Sequence, residues 1–315
     1  MLALVLSGGA NYGAIQAGAL EVLFEANLRP DMIVGTSAGA LNGIMLAADP
    51  TLDGVRRLAD LWRKLSPADV GAPNVVRSVR QFVTRQDALV PHHGLISFLL
   101  RNLPADTPTF GDLRRLRGIR TYAVAANMAT GRLRVFGDRE EDMVLDGAMA
   151  STAVPPYFPP WRAQGRRYFD GGVLSKLPLL VAIRRGATRL IALCISDVGA
   201  AAGAAHGIVG VTGYAVSILV DHQTRREETI ARSTGAEIRV LHMPVPKSVG
   251  VWDYTRGEVL IDHGRVLARR WLEGDPLRMP PEWWVRMRCR AVTWLRGLPR
   301  DLVLEEEGTE PQGNL

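Results

Sequence analysis

Residues 35–39, GTSAG, fit the pattern G-x-S-x-G, in which a serine stands at a sharp turn between a strand and a helix. Small flanking residues allow this turn, and the helix that follows places the positive end of its dipole beside the reacting oxygen. The context agrees, because an apolar run precedes the motif and a helix-forming run follows it. Ser37 is therefore a candidate nucleophile. A plain Gly- and Ser-rich turn has the same letters, so the motif alone leaves both interpretations open.

A second turn lies at residues 8–13, GGANYG, and presents several backbone N–H groups with little side-chain cover. Such a turn can bind the pyrophosphate of a nucleotide or the oxyanion of a tetrahedral acyl intermediate. As a dinucleotide fingerprint it is imperfect, because Ala10 stands where the middle glycine is expected. No acidic residue follows the second predicted strand either, which makes a dinucleotide site the weaker interpretation.

Asp170 ends a short aromatic strand predicted within RRYFDGG. The two glycines behind it carry no side chains, so another group can approach the carboxylate closely. The alternative is an Asp-Gly turn in which the side chain bonds its own backbone. His242, after the predicted strand in RVLHMP, is the only plausible base for a catalytic triad. The remaining histidines lie in segments predicted to be solvated: His92, His93, His206, His222 and His263.

These motifs lie within an alternation of apolar strands and helices. Short apolar runs predict strands near 2–6, 31–34, 121–125, 133–136, 190–195 and 238–241. Helices are predicted near 13–26, 40–48, 142–151, 179–185, 207–233 and 256–272. We therefore expect an α/β fold with a parallel-sheet core covered by helices on both faces.

Three segments depart from this alternation. Residues 50–116 are Arg-rich and punctuated by prolines, and they predict a helical cap inserted into the core. Residues 197–207 are rich in glycine and alanine, which predicts a mobile loop. Residues 305–315 are acidic and lack apolar anchors, so we expect a disordered tail.

The composition of the 315 residues, 47% hydrophobic and 22% charged, is that of a globular protein and excludes a linker or tail protein. A net charge of +6 permits an anionic partner such as a phospholipid surface. No motif that reads DNA or RNA is present, so we expect no nucleic-acid partner. The two cysteines are too few for a disulfide framework, which favours a reducing, cytoplasmic location. The sequence contains no run of about twenty apolar residues, so no membrane span is predicted.

In their order, the three motifs resemble the patatin-like phospholipase family. Only one strand and one helix precede Ser37, whereas several strands precede the nucleophile in the usual α/β-hydrolase arrangement. The resemblance rests on ALVLSGGANYGAIQAGALEVL, IVGTSAGALNG, ASTAVPPYFPP and YFDGGVLSKLPL, and more loosely on IDHGRVLA. It covers about residues 1–275 apart from the cap, and it implies a patatin-like three-layer sandwich.

The resemblance also implies roles for particular residues. Ser37 would be the nucleophile and Asp170 the base that takes its proton directly, with no cofactor and no metal. The backbone amides of Gly8, Gly9 and Ala10 would form the oxyanion hole. Ala10 replaces a third glycine of the family pattern, which an amide donor tolerates if φ is negative. Tyr12 stands where the family pattern has a lysine or an arginine, and the effect of this replacement on turnover stays open.

Residues 276–304 predict a C-terminal helix rich in tryptophan and arginine. Within 281–298, apolar residues recur at helical spacing beside arginines: Trp283, Trp284, Met287, Ala291, Trp294, Leu295 and Leu298. Such a helix can lie peripherally in a membrane interface, or its apolar stripe can dock on the body of the domain. The sequence leaves both open, as it does the oligomeric state.

The function predicted from these residues is that of a serine lipid acyl hydrolase, of phospholipase A, lysophospholipase or carboxylesterase type, acting on a lipid ester. The alternative is a non-catalytic or weakly active protein that binds lipids or acyl groups on the same fold. Head group, acyl-chain length and positional preference have no signature in the sequence.

Overall fold

The structure is a computed structural model that describes residues 1–70, 90–196 and 207–296. Strands β1 to β8 span Leu2–Leu6, Met32–Thr36, Arg120–Asn127, Leu133–Phe136, Trp161–Ala163, Arg166–Asp170, Arg189–Ser196 and Glu237–Pro244. Helices α1 to α6 span Gly13–Glu25, Ala38–Ala48, Leu52–Lys64, Pro67–Val70, His93–Asn102 and Phe110–Arg117. Helices α7 to α11 span Val144–Ser151, Leu179–Arg184, Gly207–Ser233, Gly257–Leu272 and Glu282–Arg296.

The strands form one mixed sheet in the order β5-β6-β3-β2-β1-β7-β8, with β4 also paired to β3. The five strands from β3 to β8 in this order are parallel, as predicted. Strands β4, β5 and β6 add antiparallel pairs. The sequence analysis missed β5, which is only three residues long. The turn between β5 and β6 consists of Gln164 and Gly165, which both have positive φ, as a two-residue type I′ hairpin requires.

Both faces of the central strands are buried. Along β1 and β2, Leu4, Leu6 and Ile33 face an apolar cluster that includes α1, α2 and α3. Their neighbours Ala3, Val5, Met32 and Val34 face a second cluster, which includes α8 and the end of α9. Helices therefore cover the sheet on both sides, and the predicted α/β architecture is confirmed.

The described part of the predicted insertion at 50–116 contains helices α3 to α6, which non-helical segments connect. Helix α3 contacts α1, α2 and α10, so it belongs to one of the two helical layers. Residues 71–89 lie outside the described residues, as do 197–206 of the predicted loop and the whole predicted tail at 305–315. The division of the chain at 275 stays a prediction.

Helix α11 docks by a face other than its aromatic stripe. Val285 is buried, Cys289 packs into the second cluster, and Arg288 donates to the Gly235 carbonyl and to Glu237. The described members of the stripe face solvent, with exposed fractions of 66% for Trp283 and 85% for Trp294. Of the two alternatives that the sequence left open, docking of the described part of the stripe on the domain does not agree with this exposure, because the helix docks through Val285, Arg288 and Cys289. Among the described helices, none is long and apolar enough to cross a membrane.

Candidate active site

Ser37 stands on a tight elbow between β2 and α2. Its φ is +55°, a strained value for a side-chain-bearing residue that costs on the order of 1–3 kcal/mol. A Cβ on Gly35 would lie 2.3 Å from the Gly39 carbonyl oxygen, and one on Gly39 would lie 2.3 Å from that of Leu6. Only glycine fits at both positions, which explains the G-x-S-x-G spacing. The strain is held by the surrounding packing, and it presents the serine at the carboxyl edge of the sheet.

The elbow is fixed by a residue to which the sequence analysis gave no role. The Ser37 N–H donates to the Ser151 hydroxyl at 2.8 Å, and that hydroxyl donates to the Val124 carbonyl at 2.6 Å. Ser151 lies at the end of α7, within the ASTAVPP run. A serine in such a run has no local signature of this contact, because its partner is 114 residues away in the chain.

Asp170 lies beside Ser37 and is almost completely buried. The Gly172 N–H donates to its Oδ1 at 2.6 Å, while Oδ2 is buried and has no hydrogen-bond partner among the described residues. Burial raises the pKa of Asp170 to about 6. The nearby Ser37 side chain and the Gly172 amide lower this pKa, but the effect of burial is larger. A carboxylate in this state can accept a proton near neutral pH.

The Gly171 backbone packs directly on β3. A Cβ on this residue would lie 2.4 Å from the Val124 carbonyl oxygen. The first glycine after Asp170 therefore allows the close approach that brings the aspartate to the serine.

His242 does not occupy the position of a triad base. Its side chain is 59% exposed on β8, and its Nε2 lies 3.7 Å from the Glu228 carboxylate. The carboxyl group that lies beside Ser37, and whose pKa the Ser37 side chain lowers, is that of Asp170.

The 8–13 turn lies against Ser37, since a Cβ on Gly8 would be 3.2 Å from the Ser37 Cβ. The predicted oxyanion role of Gly8 needs correction. Its N–H already donates to the Lys176 carbonyl at 3.0 Å, so it is not free for a substrate oxygen. The N–H groups of Gly9 and Ala10 have no acceptor among the described residues. These two amides remain as candidate donors.

Ala10 and Tyr12 differ from the expectations drawn from the sequence. Ala10 has φ +49°, so the negative φ that would make alanine harmless there is absent. The Tyr12 side chain is buried, and its hydroxyl donates to the Val249 carbonyl at 3.0 Å. The neighbouring Asn11 donates to the Gly250 and Asp253 carbonyls. Tyr12 is thus part of a clamp on the segment before α10.

Ser175 and Lys176, which follow the Asp170 turn, connect the parts of the site. The Ser175 carbonyl accepts the Thr36 hydroxyl at 2.9 Å, and the Lys176 carbonyl accepts the Gly8 amide. The Ser175 hydroxyl donates at 2.7 Å to Glu227 of α9, whose carboxylate also accepts the Leu180 amide. Burial raises the pKa of Glu227 to about 7, against the lowering effects of these hydrogen bonds. Ser175 and Lys176 therefore link Thr36, the 8–13 turn and the buried carboxyl of Glu227.

An elbow serine beside a buried carboxylate and next to free backbone amides is an arrangement suited to acyl transfer. The sequence comparison places this site within a known family. The model of the patatin-like phospholipase family matches residues 4–183, more than half of the chain and a range that includes Ser37 and Asp170. The chain belongs to the patatin-like phospholipase family. Membership supports hydrolase activity on lipids in general.

The individual proteins that match the chain share less than a third of their aligned residues with it. The chain is 27% identical over 205 residues to patatin-like phospholipase domain-containing protein 7 of Rattus norvegicus, covering 63% of this chain and 14% of that protein. It is 29% identical over 203 residues to the cGAMP-activated phospholipase of Pseudomonas aeruginosa, covering 59% and 57%. Among solved structures, VipD from Legionella pneumophila matches with a TM-score of 0.48 and 16% identity, covering 86% of this chain and 66% of VipD. The chain thus spans a small part of the rat relative and about half of the bacterial one.

Proposed function

We propose that this protein is a serine lipid acyl hydrolase, of phospholipase A, lysophospholipase or carboxylesterase type, that works through a dyad of Ser37 and Asp170. The observation that carries the proposal is the unpartnered, buried Oδ2 of Asp170 beside the strained elbow serine. A buried acceptor without a partner is costly for stability, and such groups are retained where they serve chemistry.

In the proposed first step, Oδ2 of Asp170 accepts the hydroxyl proton of Ser37 while Oγ attacks the ester carbonyl carbon. The electron pair displaced from the carbonyl resides on its oxygen, where the amides of Gly9 and Ala10 donate to it. Donors of this kind contribute on the order of 3 kcal/mol each to the stability of the transition state. The leaving alcohol takes the proton from Asp170, and an acyl ester remains on Ser37.

In the second step, Asp170 takes a proton from a water molecule, whose oxygen attacks the acyl carbon. The tetrahedral intermediate collapses, Ser37 recovers its proton, and a free carboxylic acid leaves. The side chains in this cycle all come from this chain.

The alternative of a non-catalytic lipid- or acyl-binding protein stems from Tyr12. The hydrogen bond from Tyr12 to the Val249 carbonyl gives this tyrosine a packing role. That contact favours the catalytic proposal over the alternative.

A fluorophosphonate probe tests the proposal, because it labels only a serine that a base has activated. We expect labelling of the wild type and loss of labelling in Ser37→Ala. Ser233→Ala removes an exposed serine hydroxyl from α9 and serves as the matched control, with labelling equal to the wild type. A wild type that resists the probe while it still binds lipid would support the non-catalytic alternative instead.

Assays with p-nitrophenyl acyl esters, phospholipids and lysophospholipids would define the substrate. Peripheral membrane contact through 281–298 stays a prediction, which the exposed stripe of α11 supports as far as residue 296.

A further inference from the structure

The long helix α9 begins with an uncharged stretch. Residues 210–220, GVTGYAVSILV, carry no charged side chain, and we call them the apolar segment. None of its residues is buried, and the exposed fractions reach 56% for Val211 and 69% for Leu219. Val216 and Ile218 are also exposed, and at about 100° per residue the four directions span roughly 160° of the helix circumference. This arc is less than half of the circumference and forms one broad face, but the remaining sides of the segment carry no charged residue and are not buried either, which favours a surrounding lipid phase over a partner on one side.

The carboxyl-terminal half of α9 is anchored at the proposed active site. Gln223 donates to the Leu174 carbonyl, and Glu227 accepts the Ser175 hydroxyl. Both partners follow the Asp170 turn within five residues, so the apolar segment leaves the domain at the site. The length of α9 agrees, since 27 residues span about 40 Å and the neighbouring eight-residue strand β8 about 26 Å. Helix α9 therefore extends past the carboxyl edge of the sheet.

We propose that the apolar segment inserts into the surface of a lipid bilayer and holds the Ser37 site at that surface. This inference rests on the proposed function, because a hydrolase of lipid esters needs its site at a lipid surface. Eleven residues span about 16 Å, about half of a hydrocarbon core of roughly 30 Å, so the segment enters one leaflet only.

Two arginines near the base of the segment can contact anionic head groups, although Asp221 and Glu228 beside them balance the local charge. Arg225 and Arg226 follow the segment within two turns, and Arg225 is exposed although Asp221 pairs with it at 2.8 Å. The chain as a whole carries a net charge of +6. Cations at the depth of the head groups strengthen binding by about 1 kcal/mol each.

The apolar segment and the stripe of α11 lie at opposite ends of the sheet. Glu282 at the start of α11 pairs with the Met1 amino group and with Arg189, which are at the amino ends of β1 and β7. Ser37 follows the carboxyl end of β2. A bilayer bound through α11 would therefore lie away from the site, while one bound through α9 would lie against it.

Co-sedimentation with vesicles of phosphatidylcholine and phosphatidylglycerol tests the inference. The binding measurement uses the Ser37→Ala protein, so it does not depend on hydrolysis. We expect Val216→Asp with Leu219→Asp to weaken binding at least tenfold, and Leu219→Gln alone to weaken it measurably if the double variant fails to fold. The matched control, Val259→Asp with Val266→Asp, changes two similarly exposed valines on α10 and should bind like the parent.

With Ser37 present, the α9 variants should hydrolyse a short soluble ester at the wild-type rate, since they leave the dyad intact. The inference is overturned if the α9 variants bind vesicles as tightly as the parent, if only Trp294→Asp in α11 abolishes binding, or if the parent does not bind. It is also overturned if light scattering shows a dimer that the α9 variants dissociate, because a second copy would then cover the segment. Failure of the proposed function looks different: no ester is hydrolysed, while binding through α9 persists.

Discussion

The backbone of Ala10 gives a direct test of the site at the residue scale. Because its φ is +49°, replacement by glycine removes a left-handed strain that costs a residue with a Cβ about 1 kcal/mol. We expect Ala10→Gly to raise the free energy of unfolding by about that amount in urea titrations. The matched control is Ala26→Gly, at an exposed position with φ −78°, where the extra freedom of glycine should lower stability. Equal destabilisation by both changes would contradict the left-handed conformation at Ala10.

The raised pKa of Asp170 sets the pH dependence of the proposed reaction. The dyad requires the ionised carboxylate, and the pKa in the free protein is about 6. We expect kcat/KM for a soluble ester to be constant above pH 7 and to fall about tenfold per pH unit well below pH 6. Stopped-flow or initial-rate measurements from pH 4.5 to 8.5 would show the inflection. A profile that is flat across this range would mean that the base is another group.

The sequence identified the candidate residues of the site but not the contacts that hold them in place. Ser37 and Asp170 stand in motifs because close backbone approaches require glycine at fixed positions beside them. The hydrogen bond from Gly8 to Lys176 and that from Ser37 to Ser151 join segments more than one hundred residues apart. No local pattern in the sequence encodes such contacts, which is why the role of Gly8 was wrong and Ser151 was missed.

At the scale of an element, helix α9 has two different halves: its carboxyl-terminal half is anchored to the domain, and its amino-terminal half is exposed. The anchor includes the buried carboxyl of Glu227, whose pKa rises from an ordinary value of 4.5 to about 7 on folding. Between these two values the folded chain keeps a proton that the unfolded chain has lost. The contribution of Glu227 to stability is therefore complete below about pH 4.5 and decreases as pH rises toward 7.

Replacement of Glu227 by glutamine should remove this dependence, because the amide keeps the shape of the carboxyl and does not ionise. We expect the stability of Glu227→Gln relative to wild type to increase between pH 5 and pH 8, measured as the difference in free energy of unfolding. Glu258→Gln, at an exposed carboxylate on α10, is the control and should show no such increase. A difference between Glu227→Gln and wild type that is independent of pH would show that Glu227 is ionised across the whole range.

The prediction of elements succeeded where burial is uniform. The central parallel strands are covered on both faces, so they stand out as short continuous apolar runs. Strand β5 has three residues and lies at the edge of the sheet, where no run can form. The orientation of α11 could not be predicted from its stripe, because Arg288 makes polar contacts on the docking face and the most apolar residues face solvent.

At the scale of the whole molecule, the fold brings four distant segments to one edge of the sheet: the 8–13 turn, the elbow, the Asp170 turn and the anchored part of α9. The parallel topology explains the first two, because β1 and β2 end at that edge, and the antiparallel pairing of β6 with β3 places Asp170 opposite Ala125, near the same edge. The stripe of α11 lies at the opposite edge. In the proposed orientation, the edge of the sheet that carries Ser37 faces lipid and the opposite edge does not.

The most direct test of the central claim compares the hydrolysis of a p-nitrophenyl ester by Asp170→Asn and by His242→Ala. The dyad predicts that Asp170→Asn lowers kcat/KM at least one hundredfold with the thermal unfolding temperature retained, since a lost general base costs about 10²–10⁴. His242→Ala should keep wild-type activity within about twofold. Retention of activity by Asp170→Asn together with its loss in His242→Ala would contradict the dyad.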